Sequence, residues 1–289
     1  MDNFRGAVLM VLAMLGFALE DMFIKLLADA LPIGQILLML GIGGSAVFGA
    51  VVLAQGRSLF TREMMSWPIL ARAMGELIGA LTFVSAIVLT PISSASAILQ
   101  ATPLVVTLGA ALFLGEPVGW RRWSAIFVGL FGVLLIIRPG MDSFEMLSIL
   151  ALIAVFALAL RDLSTRKIPP SVSSMQLSFV GFVSVLPAGV ILLLFTGESL
   201  VAPTSGGWIK VISAITIGLF AYYAIVAATR VGDIGFVTPF RYTRLIFALI
   251  AGVVIFDESP DTLTLLGAAI IVASGIYTVW RERKIRPLQ

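Results

Sequence analysis

Apolar residues run through this chain in long continuous stretches, with no alternation of period two and little polar punctuation inside them. A helix crossing the hydrocarbon core of a bilayer, about 30 Å thick, needs about 20 mainly apolar residues at about 1.5 Å per residue. Ten runs meet that requirement, at about 4–27, 33–54, 68–90, 93–114, 120–138, 144–164, 172–195, 208–230, 234–256 and 262–280. Membrane strands would instead alternate in segments of about ten residues. The fold class predicted is therefore all-α and integral to a membrane, with about ten transmembrane helices. The first run is too long for a cleavable signal peptide and lacks a small-x-small exit. Short turns such as Thr90-Pro91-Ile92-Ser93 and Asp257-Glu258-Ser259-Pro260 make sequential helices antiparallel neighbours, with proline stopping each helix and small polar residues supplying caps.

The composition agrees. Of 289 residues, 60% are hydrophobic and 12% charged, and the mean hydropathy is +1.09. A soluble domain of this size has too much water-facing surface to carry such a composition. Cysteine and histidine are both absent. That excludes a disulfide framework, thiol nucleophiles, histidine-dependent catalysis and nearly every zinc site. No phosphate-binding G-x-x-x-x-G-K-[ST] occurs, so no ATP drives the protein. The expectation is no enzyme, no catalytic residue, no metal and no cofactor.

The net charge of +3 does not point to nucleic acid, because the basic residues are placed by topology. With the N-terminus cytoplasmic, Arg5, Arg57, Arg62, Arg121, Arg122, Arg166, Lys167, Arg230, Arg281, Arg283, Lys284 and Arg286 fall on the cytoplasmic side, and only Arg138 and Lys210 fall outside. Both termini are thus expected in the cytoplasm, and the basic C-terminal tail reads as a topology anchor. Trp67, Trp120, Trp123, Trp208 and Trp280 fall at predicted span ends, where interfacial belts sit. Glycines such as Gly41, Gly43, Gly44, Gly129 and Gly132 lie inside spans, where they permit close helix packing.

Shifting the chain by 142 residues superposes the two halves: Glu20 falls on Asp162, Lys25 on Lys167, and Leu114-Gly115-Glu116 on Phe256-Asp257-Glu258. Five spans are followed by five, so the second set enters the membrane from the opposite side. Such inverted repeats, here 1–140 and 141–289, place a substrate site near the midplane between the halves.

The stretch Ala95 to Arg122 reads A-S-A-I-L-Q-A-T-P-L-V-V-T-L-G-A-A-L-F-L-G-E-P-V-G-W-R-R. A small-residue span with a central proline, ending in L-G-E before a basic turn, resembles the EamA repeat of the drug/metabolite transporter superfamily. The second copy, Gly235 to Glu258, departs from it: Pro239 comes earlier, and F-D-E-S-P replaces L-G-E-P. The resemblance covers about residues 4–281. It implies a secondary transporter of small molecules in the bacterial inner membrane, a lipid environment and a small-molecule partner, with no nucleic acid. By length and span pattern the chain most resembles bacterial exporters of aromatic and other neutral amino acids. Riboflavin, S-adenosylmethionine and nucleoside carriers share the architecture and stand as alternatives. One chain supplies both halves, so a monomer suffices.

A charge at the bilayer centre costs about 2.5–3.5 kcal/mol on insertion scales, so each needs a reason. Glu20, Asp21 and Lys25 lie toward the outer end of the first span. Asp162 and Arg166 repeat the arrangement near the inner end of the sixth, beside Arg161. Asp21 with Lys25, and Asp162 with Arg166, are spaced for helical ion pairs. They read either as interfacial pairs or as symmetry-related gates. Arg72 and Glu76 lie in the third span and Arg241 and Arg244 in the ninth. Glu76 and Arg244 are each about 14–15 Å deep from the cytoplasmic side. A structural salt bridge is one reading. The other is a site in which Arg244 takes a substrate carboxylate and Glu76 an ammonium. Pro103 and Pro239 break their helices, freeing carbonyls beside Gln100, Thr102 and Thr107 and beside Thr238, Phe240 and Tyr242. Tyr222, Tyr223 and Phe83 are candidates for an aromatic-accepting wall. Proton coupling, if present, falls first to Glu76 and then to Glu20.

Overall fold

The computed structural model describes residues 2–115, 119–139, 145–231 and 234–285. All regular structure among them is helical: α1 Asp2–Leu27, α2 Ile33–Ala54, α3 Trp67–Leu89, α4 Ile92–Leu99, α5 Thr102–Phe113, α6 Trp120–Ile137, α7 Ser148–Thr165, α8 Ser174–Thr196, α9 Ser205–Val231, α10 Ile234–Val237, α11 Thr243–Ile255 and α12 Thr262–Ile285. Ten helical segments are long and apolar enough to cross a membrane, with α4 and α5 together forming one of them. Large apolar side chains such as Phe113, Phe127, Leu194, Phe195 and Val254 point outward. In water this would be an aggregation surface; in a bilayer it is the lipid face.

The fourth and ninth predicted spans are not continuous helices. The fourth breaks at Gln100 and Ala101, just ahead of Pro103, into α4 and α5. Pro103 has no N–H to give to the carbonyl of Leu99. The Thr102 hydroxyl fills that vacancy, donating to Leu99 O at 2.7 Å. The carbonyl expected to be free for a substrate ammonium is therefore occupied. In the ninth span α10 is followed by a 3₁₀ turn, Thr238–Tyr242, containing Pro239. Thr243 then donates to Phe240 O at 2.7 Å. Both breaks carry a proline with a threonine hydroxyl bonded back to a nearby carbonyl, but only in the fourth span is that carbonyl the one the proline deprives.

Packing crosses between the halves of the chain. Helix α1 lies along α9, α3 along α7, α2 along α8 and α6 along α12, while α1 also meets α11 as α7 meets α5. Exchanging each helix for the one five spans away returns the same set of partners. Two of these crossings are glycine on glycine. A Cβ at Gly34 would stand 2.6 Å from Gly189 O, and one at Gly189 would stand 2.6 Å from Gly34 O. Gly132 and Gly267 oppose each other on α6 and α12 in the same way, at 2.8 and 2.6 Å. Backbones in contact at these points gain dispersion energy that lipid cannot supply. Gly41 and Gly44 lie against Phe182 and Leu186, and Gly43 against Ile215, so the glycines inside spans do serve packing. The tryptophans stand at helix ends: Trp67 and Trp120 open α3 and α6, Trp208 lies in the first turn of α9, and Trp280 near the end of α12.

Candidate functional site

The polar groups buried in the bundle form two connected clusters where the halves meet. Inner and outer denote sides of the membrane in the orientation set by the basic residues.

The first cluster joins α1 to α11. Arg244 donates to Asp21 Oδ2 at 2.6 Å, and its guanidinium carbon lies over two rings, 5.3 Å from the centroid of Phe17 and 5.4 Å from that of Phe83. The cation is therefore in reach of two aromatic faces. Glu20, the next residue, presses its carboxylate onto Gly218 of α9 and lies in the field of Asp21 and Arg244. A side chain at 218 would have to displace that carboxylate.

The second cluster joins α3 to α7. Arg161 donates to Asp162 at 2.8 Å and reaches Glu76 at 3.4 Å. Arg72 stands 4.0 Å from Glu76 and donates to Thr165 at 2.7 Å. Arg241 acts electrostatically on Asp162, and also on Arg244 of the first cluster. Gln100 ties the two broken spans together: its Nε2 donates to Arg241 O at 3.3 Å. Four carboxylates (Glu20, Asp21, Glu76, Asp162) thus share the seam with four guanidiniums (Arg72, Arg161, Arg241, Arg244).

Several expectations are corrected by this geometry. Asp21 pairs with Arg244 rather than with Lys25, one turn away on its own helix. Asp162 takes a hydrogen bond from Arg161, its neighbour on the same helix. Glu76 is held by Arg161 and Arg72, and Arg244 by Asp21, so the expected Glu76–Arg244 partnership gives way to two separate ones. In each case the long arginine has a closer carboxylate at hand, and burial strengthens the interaction.

The aromatic wall is only partly assembled. Phe83 faces Arg244. Tyr222 packs edge-on to Phe48 at 5.2 Å and lies in the field of Arg161. Tyr223, its neighbour, is 63% exposed on the side of the bundle, because successive residues on a helix diverge by about 100°. Phe240 packs beside the buried cluster of Met10, Met14 and Val237. Tyr242 is buried with its hydroxyl against Gly275 of α12. Thr107 donates back to Pro103 O at 2.9 Å. An open groove of about 420 Å³ between α6 and α12, lined by residues such as Trp120, Arg121, Val128, Ile270 and Tyr277, shares no residue with either charge cluster.

Residues singled out by sequence only as part of a motif prove to be structural centres. Glu258 belongs to F-D-E. Asp257 before it adopts the left-handed conformation, φ +51°, and Gly115 does the same at φ +67°, 142 residues earlier. The aspartate and the glycine thus share a left-handed φ at corresponding positions of the two halves. Glu116 itself lies outside the described residues.

A model of the EamA-like transporter family matches this chain twice, over residues 4–138 and 146–280. The chain belongs to the EamA-like transporter family. Among curated EamA relatives, a riboflavin transporter of Vibrio cholerae is 32% identical over 68% of this chain, which spans 65% of that protein's length. An S-adenosylmethionine uptake transporter of Rickettsia prowazekii is 24% identical over 71% of this chain and 69% of its own. A pseudopaline exporter of Pseudomonas aeruginosa is 26% identical over 94% of both chains. A solved crystal structure shares the EamA chain's fold, with a TM-score of 0.58 at 19% identity, covering 95% of this chain and 98% of that one. The chain is thus a multi-pass membrane protein of a transporter family for small metabolites.

Proposed function

We propose that this protein is a secondary transporter of the bacterial inner membrane, moving a small metabolite that carries a flat heteroaromatic ring and a polar tail. Two five-helix halves, 1–140 and 141–289, rock about the charge clusters and expose them to one side at a time. The observation that carries this reading is the likeness to the Vibrio cholerae riboflavin transporter, 32% identical, joined with a partly buried arginine lying over two phenylalanine rings. Riboflavin and S-adenosylmethionine both combine an aromatic heterocycle with polar groups. Phe17, Phe83 and Arg244 together offer aromatic surface and a cation beside Glu20 and Asp21. Export of aromatic and neutral amino acids, to which length and span pattern pointed, has less support: the three relatives carry riboflavin, S-adenosylmethionine or pseudopaline.

The residues proposed for substrate contact are Arg244, Phe83, Gln100, Tyr222 and Glu76, together with Asp21 and Phe17. Tyr223, Phe240 and Tyr242 are set aside because of where they point. Pro103 and Pro239 are proposed as hinges, since each already interrupts its span.

Counterflow tests the proposal. Proteoliposomes preloaded with unlabelled riboflavin, S-adenosylmethionine or phenylalanine are diluted into the matching labelled compound. Transient accumulation of riboflavin or S-adenosylmethionine supports the reading. Accumulation of phenylalanine alone restores the amino-acid assignment, and accumulation of none of the three refutes the substrate class. An imposed pH gradient, applied to wild type and Glu76→Gln, shows whether protons drive the exchange.

A further inference from the structure

Glu258 occupies an unusual position for a carboxylate at the end of a membrane helix. Its backbone N–H closes the last turn of α11 on Gly252 O at 2.9 Å. The left-handed turn at Asp257 then sends the side chain back over the outer end of α4. There Oε1 accepts from Ile92 N at 2.6 Å, and Oε2 accepts from Ser93 N at 3.1 Å and from Ser93 Oγ at 2.6 Å. Lys25 of α1 completes the set, 3.4 Å from Oε1, while also donating to Thr90 O at 2.6 Å at the end of α3. Its ammonium stands 5.2 Å over the Phe256 ring. Only about a tenth of the Glu258 side chain is exposed, and 16% of that of Lys25.

One carboxylate thus satisfies the first amides of α4, which has no side-chain cap of its own because Pro91 stands at its N-cap. The negative charge also faces the positive end of that helix. The partners come from α1, the α3–α4 turn and α4 in one half, and from the α11–α12 turn in the other. Asp21 and Arg244 join α1 to α11 further in. The cluster closes the outer end of the seam between halves through hydrogen bonds and an ion pair.

We propose that Glu258, with Lys25, is the latch of the outer mouth: it holds the carrier closed to the outside, and each transport cycle requires its release. This rests on the alternating-access reading under Proposed function. A release that exchanges the carboxylate's protein donors for water is feasible at this depth, since Glu258 lies past the span that ends at Ile255 and its partners Ile92 and Ser93 open the fourth span. The same groups placed at the midplane would have no such exchange partner.

Ser96 supplies the probe. It lies one turn below Ser93 on α4, is 1% exposed, and its hydroxyl has no hydrogen-bond partner among the described residues. The chain contains no cysteine, so Ser96→Cys introduces a single thiol. Reaction with a membrane-impermeant, charged methanethiosulfonate is timed from the outer face of oriented vesicles or cells. In Ser96→Cys alone the reaction is slow. Adding Glu258→Gln, which keeps the volume and loses the charge, raises the rate about tenfold or more, the scale of losing hydrogen bonds to a charged group. Adding Lys25→Gln instead leaves the α4 cap and gives a smaller rise.

An unchanged rate in folded Glu258→Gln protein overturns the latch. So does failure of both variants to fold, because the cluster is then a staple of the fold. If only Glu258→Gln fails to fold, the Lys25→Gln rate decides. The readout needs no substrate. Loss of the latch leaves the carrier reading to counterflow, and failed counterflow leaves the latch to the labelling rate.

Discussion

Asp21 of α1 and Arg244 of α11 are 223 residues apart in sequence and 2.6 Å apart in space. The pair fastens one half of the chain to the other inside the apolar bundle. Removing one partner strands the other, and breaking a buried pair costs about 3–5 kcal/mol. Arg244→Met therefore lowers the thermal stability of the detergent-purified protein by an amount on that scale, and Asp21→Asn does the same to a smaller degree. The double variant Asp21→Asn, Arg244→Met recovers much of the loss. A double-mutant cycle on melting temperature measures the coupling; additive losses would show that the pair is not coupled. Transport is best judged in the double variant, where misfolding and loss of substrate contact are separated.

The glycine crossings set the second expectation. Gly189→Ala puts a methyl 2.6 Å from the carbonyl of Gly34, and backbone cannot rotate away as a side chain would. Overpacking of this kind costs about 1–3 kcal/mol. Gly206→Ala meets nothing within 4 Å and serves as the neutral control. Thermal melts of the two variants should differ accordingly, and equal melts would show that α2 and α8 can part at no cost.

Asp257 sits at φ +51°, where a side chain without a local hydrogen-bonding option is strained by about 1–3 kcal/mol. Asp257→Val is expected to lose stability on that scale and to loosen Glu258 with it. Asp257→Gly recreates the residue found at the equivalent turn, Gly115, and is expected to match or slightly exceed wild type, by no more than about 1 kcal/mol. Melting temperature of the three proteins tests this; a Val variant as stable as the wild type would mean that the turn relaxes freely.

A pH dependence follows from the outer ends of α6 and α12. Arg138, at the end of α6, forms an ion pair with Asp261, and Asp261 caps α12 by accepting from Thr264 N at 2.8 Å. The Arg138 hydrogen bond first, and the Thr264 amide second, hold the Asp261 carboxyl down from 3.8 to about 2. The folded state prefers the charged form, so the contribution is complete above the ordinary carboxylate value and is lost as pH falls from about 4 toward 2. The side chain is half exposed, so solvent screens the effect and keeps it small. Asp261→Asn should lie below wild type in melting temperature at pH 6 and converge with it near pH 2. A gap that stays constant across that range would assign the effect to capping alone.

The long apolar runs alone determined that the chain spans a membrane with ten helical segments. Lipid offers no partner for backbone N–H and C=O groups, so a run of that length has one way to satisfy them. The two proline breaks were also legible, since proline lacks the donor that a continuous helix needs. So were the packing glycines and the tryptophans at helix ends. The charged residues were legible as a set, because each is expensive in lipid, and Glu20, Asp21, Glu76, Asp162 and Arg244 do lie at the contacts between halves. Their partners were not legible. Spacing along one helix favours Asp21 with Lys25, yet an arginine side chain reaches far enough to choose among several helices. That choice depends on crossing angles and rotations that no local pattern encodes.

The same division applies to Glu258. Its motif marks a helix end, and the sequence could say no more than that. Only the folded chain brings the α11–α12 turn over the first amides of α4, 166 residues away. Hydropathy acts locally, residue by residue, and is therefore written in the sequence. Charge pairing acts between elements, through distances that exist only once the helices have packed.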